Sequence, residues 1–283
     1  MLKYESNIIT HHKEGEIEYL TFKILDKYKD KLKYGFFLKH GGVSKGIYNS
    51  LNFRFIGNDN RENININIKL ALKTLKLEKA YKATQNHTLN ILELTSKNKE
   101  IYETSKVNKD EYDAYIHKDK NIASLVTVAD CNPVIIYDKE KNILANIHSG
   151  WAGTIKRITI KTAETLVNEY NCKYEDLIIC IGPSISKCHF TSKEKEFKDK
   201  FMESYYYINE KEYITYDNDN ETFHIDLTYL IKYDLIKLGV KKENIKIANI
   251  CTVCNNQDFF SYRVATKNKE KDYGTCSCIA SLI

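Results

Sequence analysis

The stretch IASLVTVADCNPVIIYDKEKNILANIHSGWAGT, residues 122–154, decides the fold. Three apolar runs, "IASLVTVAD", "PVIIYD" and "NILANIHS", follow one another with short polar breaks between them. Each is rich in Val and Ile and too short for an ordinary helix, so each reads as a strand. The third run ends on His148, and two glycines and the chain's only tryptophan follow at once. A strand that stops for packing reasons needs a turn. It does not need an imidazole at its tip.

Working outward, "TIKRITIKTAETLVNEY" carries Ile155, Ile158, Ala163, Leu166, Val167 and Tyr170 near helical spacing, which predicts a helix capped by Thr154. "DLIICIGPSI" reads as a buried strand ended by Gly-Pro. "DLTYLIKYDLIKLGV" predicts a helix with Asp226 as N-cap and Gly239 as its stop. "NIKIANI" is a strand that delivers "CTVC". Upstream, "KYGFFLKHGGVSKGIYNSLNF" reads as a strand, a glycine turn and a loop, and "ENININIKLALKTLKLEKA" as a helix. This mixture predicts an α/β (α+β layered) fold of mixed β-sheets flanked by helices. No Pro/Gly/Ser-rich linker interrupts the chain, so residues 1–283 are expected to form a single domain.

Composition narrows the function. The 283 residues are 42% hydrophobic and 29% charged, with a net charge of +5. The lysines alternate with acids, as in "SKEKEFKDK", so no nucleic-acid partner is expected. No run of 18 apolar residues exists, so no membrane span is expected. The opening "MLKYESNIITHHKEGEIEYL" has no apolar core of signal-peptide length, and a cytoplasmic location is expected. Eight cysteines in such a chain do not read as a disulfide framework.

Three metal-competent groups end apolar runs: His87 in "ATQNHT", Cys131 and His148. One thiolate and two imidazoles suit Zn²⁺ and leave a fourth position open, the mark of a catalytic site. Gly150 and Gly153 would let backbone come close to such a centre. The separations match no compact zinc motif, and core or surface packing is the plain alternative. Cys251, Cys254, Cys276 and Cys278 supply four more thiols. They could hold a second, structural zinc, or simply be four reduced cysteines.

"LKHGGVSKGIYNSLNF", "QNH", "TVADCNPVIIYD", "HSGWAGT", "IGPSI" and "FFSYR" occur in this order. Together they resemble the laccase-domain family, also called multicopper polyphenol oxidoreductases, from about residue 34 to the C-terminus. Members are also described as zinc-dependent purine nucleoside phosphorylases with adenosine deaminase activity. The resemblance implies His87, Cys131 and His148 as ligands of Zn²⁺, with Cu²⁺ also possible. It implies Cys131, His148 and Asp130 as catalytic residues, and Lys39, Asn52, Trp151 and Arg263 as substrate-binding ones. Phe260 joins Trp151 as a candidate to stack on a base. The substrates implied are purine nucleosides (adenosine, inosine, methylthioadenosine) and phosphate.

Some positions depart from the family. Ala152 stands where a basic residue is common, Lys39 where Arg is usual, Thr88 where Gly is frequent, and Thr275 at the place of a second Arg. Lys lacks the planar fork of Arg, so phosphate capture is expected to be weaker relative to deamination. Strand alternation would turn Asp130 away from Cys131. Two other chemistries fit the same residues. Copper-dependent phenol oxidation would need several coppers and more histidines. An amidase-like hydrolase tied to peptidoglycan precursor editing would use Cys131 and His148 as nucleophile and base.

Overall fold

The strand Asn132–Asp138 is buried at all seven positions. A run that shows no polar alternation must be covered on both faces, and the architecture shows how. The computed structural model describes residues 2–97 and 110–283. In the first half, the strands are β1 (Ile9–Glu14), β2 (Ile17–Phe22), β3 (Leu32–Phe37), β4 (Ala80–Tyr81), β5 (Ile91–Leu94), β6 (Ala114–His117), β7 (Ala123–Val128) and β8 (Asn132–Asp138). Then come β9 (Ile143–Ser149), β10 (Leu177–Ile181), β11 (Thr191–Ser192), β12 (Ile214–Asp217), β13 (Thr222–Ile225), β14 (Ile245–Ile247) and β15 (Cys276–Leu282). The helices are α1 (Arg61–Thr74), α2 (Trp151–Lys156), α3 (Ile158–Tyr170), α4 (Lys195–Ser204), α5 (Glu210–Tyr213), α6 (Leu227–Lys237) and α7 (Tyr262–Lys267).

One six-stranded sheet runs β1-β2-β3-β15-β7-β4 and a second runs β14-β10-β8-β9-β6-β5. Most pairs are antiparallel, but β4–β7, β5–β6 and β10–β14 are parallel. The two sheets pack face to face. Phe36, Val126 and Cys278 from the first meet Tyr115, Ile135 and Tyr137 from the second in one cluster. The outer face of the first sheet, with Leu125 and Ile279, is covered by Ile64, Ile68 and Leu72 of α1. The outer face of the second, with Val134, Ile136 and Ile147, is covered by Ala163 and Leu166 of α3 and Ile231 and Leu235 of α6. The order is helix, sheet, sheet, helices, in agreement with the layered α/β expectation. A small sheet, β11-β13-β12, packs with α4 and α5 at one side. No helix among the described residues is long and apolar enough to cross a membrane.

Asp226 caps α6 as expected, accepting from Tyr229 N, and Gly239 follows with φ of 106°. Thr154 does not cap. Gly150 holds the N-cap of α2, and Thr154 lies inside the helix with its Oγ1 donating to the Gly150 carbonyl at 2.9 Å. The expected single helix is broken at Arg157, a left-handed residue with φ of 65°. Its guanidinium lies 4.7 Å from the Tyr205 ring and 3.4 Å from Asp234 Oδ2, so tertiary partners hold the break.

The chain crosses from the first sheet to the second at two places. One is the loop between β4 and β5; the other is the bend between β7 and β8.

Candidate metal centre

Both crossings carry a candidate ligand. His87 sits in the loop after β4 and Cys131 in the bend before β8, while His148 occupies the penultimate position of β9. Antiparallel pairing sets Pro133 opposite His148 and Asn132 opposite Ser149, which brings Cys131 alongside the imidazole. The ligand atoms of His87, Cys131 and His148 all lie within 4.8 Å of one another. The two imidazole rings are 4.9 Å apart, centre to centre.

Each loop is aimed by a specific contact. Gln85 acts as a surrogate strand residue: its Nε2 donates to the Thr127 carbonyl at 2.8 Å and its Oε1 accepts from Thr127 N at 2.8 Å. That clamp extends the β4–β7 pairing and points the following loop at the sheet junction. His87 itself takes a left-handed φ of 54°. Asp113, which precedes β6, then ties the ligands together. Its carboxylate accepts from His148 Nδ1 at 2.7 Å, from His87 N at 3.1 Å, and from Thr88 N at 2.6 Å and Thr88 Oγ1 at 2.8 Å. A carboxylate behind a ligating imidazole fixes its tautomer and leaves Nε2 facing the centre.

Burial alone would lower the His148 pKa, but the Cys131 sulfur and the Asp113 carboxylate outweigh it and raise the value to about 9. His87 goes the other way, pushed down to about 4 by burial and by the neighbouring His148. His87 is therefore a neutral imidazole with a lone pair available. Its Nδ1 is buried without a hydrogen-bond partner. An orphaned imidazole nitrogen beside a thiol and a second imidazole is the donor set that zinc takes with three protein ligands. The residues present fit a metal ion.

Gly150 answers why glycine follows the histidine strand. A Cβ there would lie 2.3 Å from His87 Cε1, 2.5 Å from His87 Nδ1 and 2.8 Å from Cys131 Sγ. A larger residue could enter only if the His87 ring moved away.

The trio opens into a cavity of about 870 Å³, a size that accommodates a small organic substrate. Trp151, Phe190, Phe197 and Tyr273 give it aromatic walls, and Arg54 and Arg263 give it positive charge. The Arg54 guanidinium stacks 3.8 Å from the Tyr273 ring centre and sits 3.3 Å from Asp272 Oδ1. Arg263 Nη1 donates to the Thr191 carbonyl at 3.1 Å.

The sequence-predicted residues divide. Trp151 and Arg263 line this cavity with the metal trio. Asp130 also lines it, but not as a free acid. It has a left-handed φ of 83°, so the strand alternation expected to turn it away does not apply. Its buried carboxylate accepts from Thr252 Oγ1 at 2.6 Å, Ser261 Oγ at 2.9 Å and Arg263 N at 2.7 Å. Burial raises its pKa against those three bonds. It anchors the segment that carries Arg263. Lys39 is not among the lining residues; its Nζ donates to the Asn256 carbonyl at 2.5 Å. Asn52 is not among them either. It is fully buried, and its Oδ1 accepts from Arg54 N at 3.0 Å and Thr275 N at 2.9 Å. Its place is behind Arg54, not in front of a substrate. Phe260 is a core residue packed over Gly274.

Sequence reasoning missed Asp113, Arg54 and Gln85. Arg54 also alters the charge expectation. Ala152 faces a neighbouring groove and is absent from the lining of this cavity, which already holds two arginines.

The second cysteine group is also corrected. Cys276 and Cys278 are buried in β15, with Cys278 in the core between the sheets. Cys251 and Cys254 gather instead with Cys188 and His189.

A family model described as multi-copper polyphenol oxidoreductase laccase matches residues 33–282. A purine nucleoside phosphorylase of Bacteroides thetaiotaomicron is 29% identical over 235 residues, spanning 80% of this chain and 83% of that protein. Adenosine deaminase RL5, from an unknown prokaryotic organism, is 28% identical over 151 residues, spanning 53% of this chain and 56% of that protein. Among solved structures, the hypothetical protein YfiH of Bacillus licheniformis shares the fold with a TM-score of 0.85 at 21% identity, over 96% of this chain and 99% of that one.

Proposed function

Because the chain belongs to the multi-copper polyphenol oxidoreductase laccase family, we propose that it is a zinc-dependent purine nucleoside phosphorylase with adenosine deaminase activity. The observation that carries the reading is the orphaned His87 Nδ1 beside Cys131 and His148, in a cavity that also holds Arg54 and Arg263. His87, Cys131 and His148 would hold the metal. Bound there, zinc would act as a Lewis acid and lower the pKa of a water molecule to about 7.

The chain's own groups do the rest. Trp151, Phe197 and Tyr273 offer faces and edges for a purine. Arg54 and Arg263 offer guanidinium donors to phosphate, a better match to its oxygens than Lys39 would give. In phosphorolysis, phosphate forms a bond to the ribose C1′ as the bond from C1′ to the base breaks, and the leaving base takes up a proton. In deamination, water adds at C6 of adenosine and ammonia leaves. Asp113 keeps the His148 Nδ1 proton in place in both, so that the opposite nitrogen stays turned to the centre.

A second reading has one observation in its favour. Cys131, His148 and Asp113 line up as nucleophile, base and orienting acid, the arrangement of a cysteine hydrolase. That reading gives His87 no task. The test is metal analysis of the purified protein together with chromatography of adenosine incubated with and without phosphate. Zinc at the trio and phosphate-dependent adenine support the proposal. Copper in place of zinc with phenol oxidation, or a metal-free protein that forms an acyl-enzyme, would refute it.

A further inference from the structure

Cys188 and His189 follow the Gly-Pro end of β10, and Cys251 and Cys254 form a C-x₂-C turn after β14. The two loops are stitched together beside them. Ser184 N donates to the Ile250 carbonyl at 3.2 Å, and Thr252 N donates to the Ser184 carbonyl at 3.1 Å. Four donor atoms converge there, all within 4.8 Å of one another. His189 Nδ1 lies 3.2 Å from Cys188 Sγ, 3.4 Å from Cys254 Sγ and 3.6 Å from Cys251 Sγ. The Cys188 and Cys254 sulfurs are 3.8 Å apart.

One imidazole nitrogen can share a proton with one sulfur at a time, so three sulfurs around it are not explained by hydrogen bonding. A tetrahedral zinc with Zn–S of about 2.3 Å and Zn–N of about 2.0–2.1 Å sets S···S near about 3.8 Å and S···N near about 3.6 Å. The Cys188–Cys254 separation of 3.8 Å and the Cys251–His189 separation of 3.6 Å fall on those edges, and the other two sulfur–nitrogen distances, 3.2 and 3.4 Å, are somewhat shorter. A disulfide between Cys188 and Cys254 would need the sulfurs at about 2.05 Å.

We propose that Cys188, His189, Cys251 and Cys254 bind a second zinc ion, closed by four protein ligands and structural in kind. Binding deprotonates the thiols that are still protonated and releases those protons to solvent. The site locks the 183–190 loop to the 251–258 turn. From that turn Thr252 reaches Asp130, and Asp130 holds Arg263 N. The clamp thus supports the wall of the neighbouring cavity without touching it. It does not depend on the function proposed above.

The test is zinc content per chain, with cobalt substitution as the spectroscopic readout. The wild-type chain is expected to hold two zinc ions. Cys131→Ala should keep one, and its cobalt form should keep strong thiolate-to-metal charge-transfer absorption. Cys188→Ser and Cys254→Ser alter exposed side chains and should each remove one zinc and most of that band while circular dichroism stays native. Loss from Cys254→Ser with none from Cys131→Ala would sustain this site and refute the first. A metal-free Cys131→Ala chain would overturn it. So would a Cys188–Cys254 disulfide found by mass spectrometry in the freshly purified wild-type protein.

Discussion

Replacing Gly150 with alanine tests the metal centre from outside its ligands. The backbone at Gly150 has φ of −72° and ψ of −178°, a conformation open to any residue, so the substitution carries no backbone strain. A methyl there would nevertheless sit 2.3 Å from His87 Cε1 and 2.8 Å from Cys131 Sγ. Ordinary carbon contacts lie at about 3.5–4.0 Å, so His87 must retreat by more than about 1 Å. Metal–ligand distances tolerate only about 0.2 Å. His87 rides on a loop and can swing, whereas Cys131 is pinned beside β9. We therefore expect His87 to leave the coordination sphere and zinc affinity at this site to fall at least about 100-fold, or roughly 2.8 kcal/mol at about 1.4 kcal/mol per decade. The metal-free protein should change little. Overpacking costs about 1–3 kcal/mol if His87 cannot move, and the lost chain entropy of glycine offsets about 0.4–1 kcal/mol. Competition against a chromophoric chelator measures the affinity, and denaturant titration in EDTA measures the stability. Wild-type affinity in Gly150→Ala would refute the assignment of His87 as a ligand.

Other outcomes follow from the same contacts. Asp113→Asn keeps an acceptor for His148 but removes the charge, and should lower metal affinity about 10–100-fold, read by the same competition assay. Arg54→Gln should raise the phosphate KM by roughly 10–150-fold, since a charge-assisted hydrogen bond contributes about 1.5–3 kcal/mol, while deamination without phosphate changes far less; adenine and inosine formation across a phosphate titration separates the two. His117 is buried against Ser124 Oγ at 2.7 Å, and burial pushes its pKa from 6.5 to about 3. The unfolded chain therefore takes up this proton first, and stability falls as pH drops below 6.5 toward 3, by about 1.4 kcal/mol per pH unit from this group. His117→Gln should flatten that slope in denaturation midpoints measured between pH 6.5 and pH 5; an unchanged slope would show that His117 is protonated in the folded state.

What the sequence made legible were features written into local pattern. The runs of β7, β8 and β9 are readable because burial on both faces leaves them mainly apolar and β-branched. Asp226 is readable because a cap needs only its own next turn. The break at Arg157 was not, because a left-handed arginine is held by Tyr205, Tyr207 and Asp234, which lie far along the chain. Asp113 escaped notice as one acid among 38 acidic residues. Its role appears only once the β6–β9 register sets Ala114 opposite Ile147 and so puts Asp113 beside His148. Arg54 did leave a signal. Arginine occurs four times among 43 basic residues, at 54, 61, 157 and 263, and three of the four use the guanidinium on a ring, a carbonyl or a carboxylate. In so lysine-rich a chain, each arginine is a place to look for a planar fork. Cys188 and His189 were missed because their partners arrive from another strand's end, and no spacing rule joins loops more than sixty residues apart.

His87 and Cys131 each stand where the backbone passes from one sheet to the other, and His148 stands on the second sheet alone. The three ligands therefore meet only after two independently hydrogen-bonded layers have closed on each other. Long-range docking of this kind is a late and slow event in folding. A newly made chain with either layer astray has the cysteine and the histidines but no place for them to converge. On the proposed assignment, occupancy of this centre would be a certificate of finished assembly: a chain whose layers have not closed would offer a metal ion no three-ligand site.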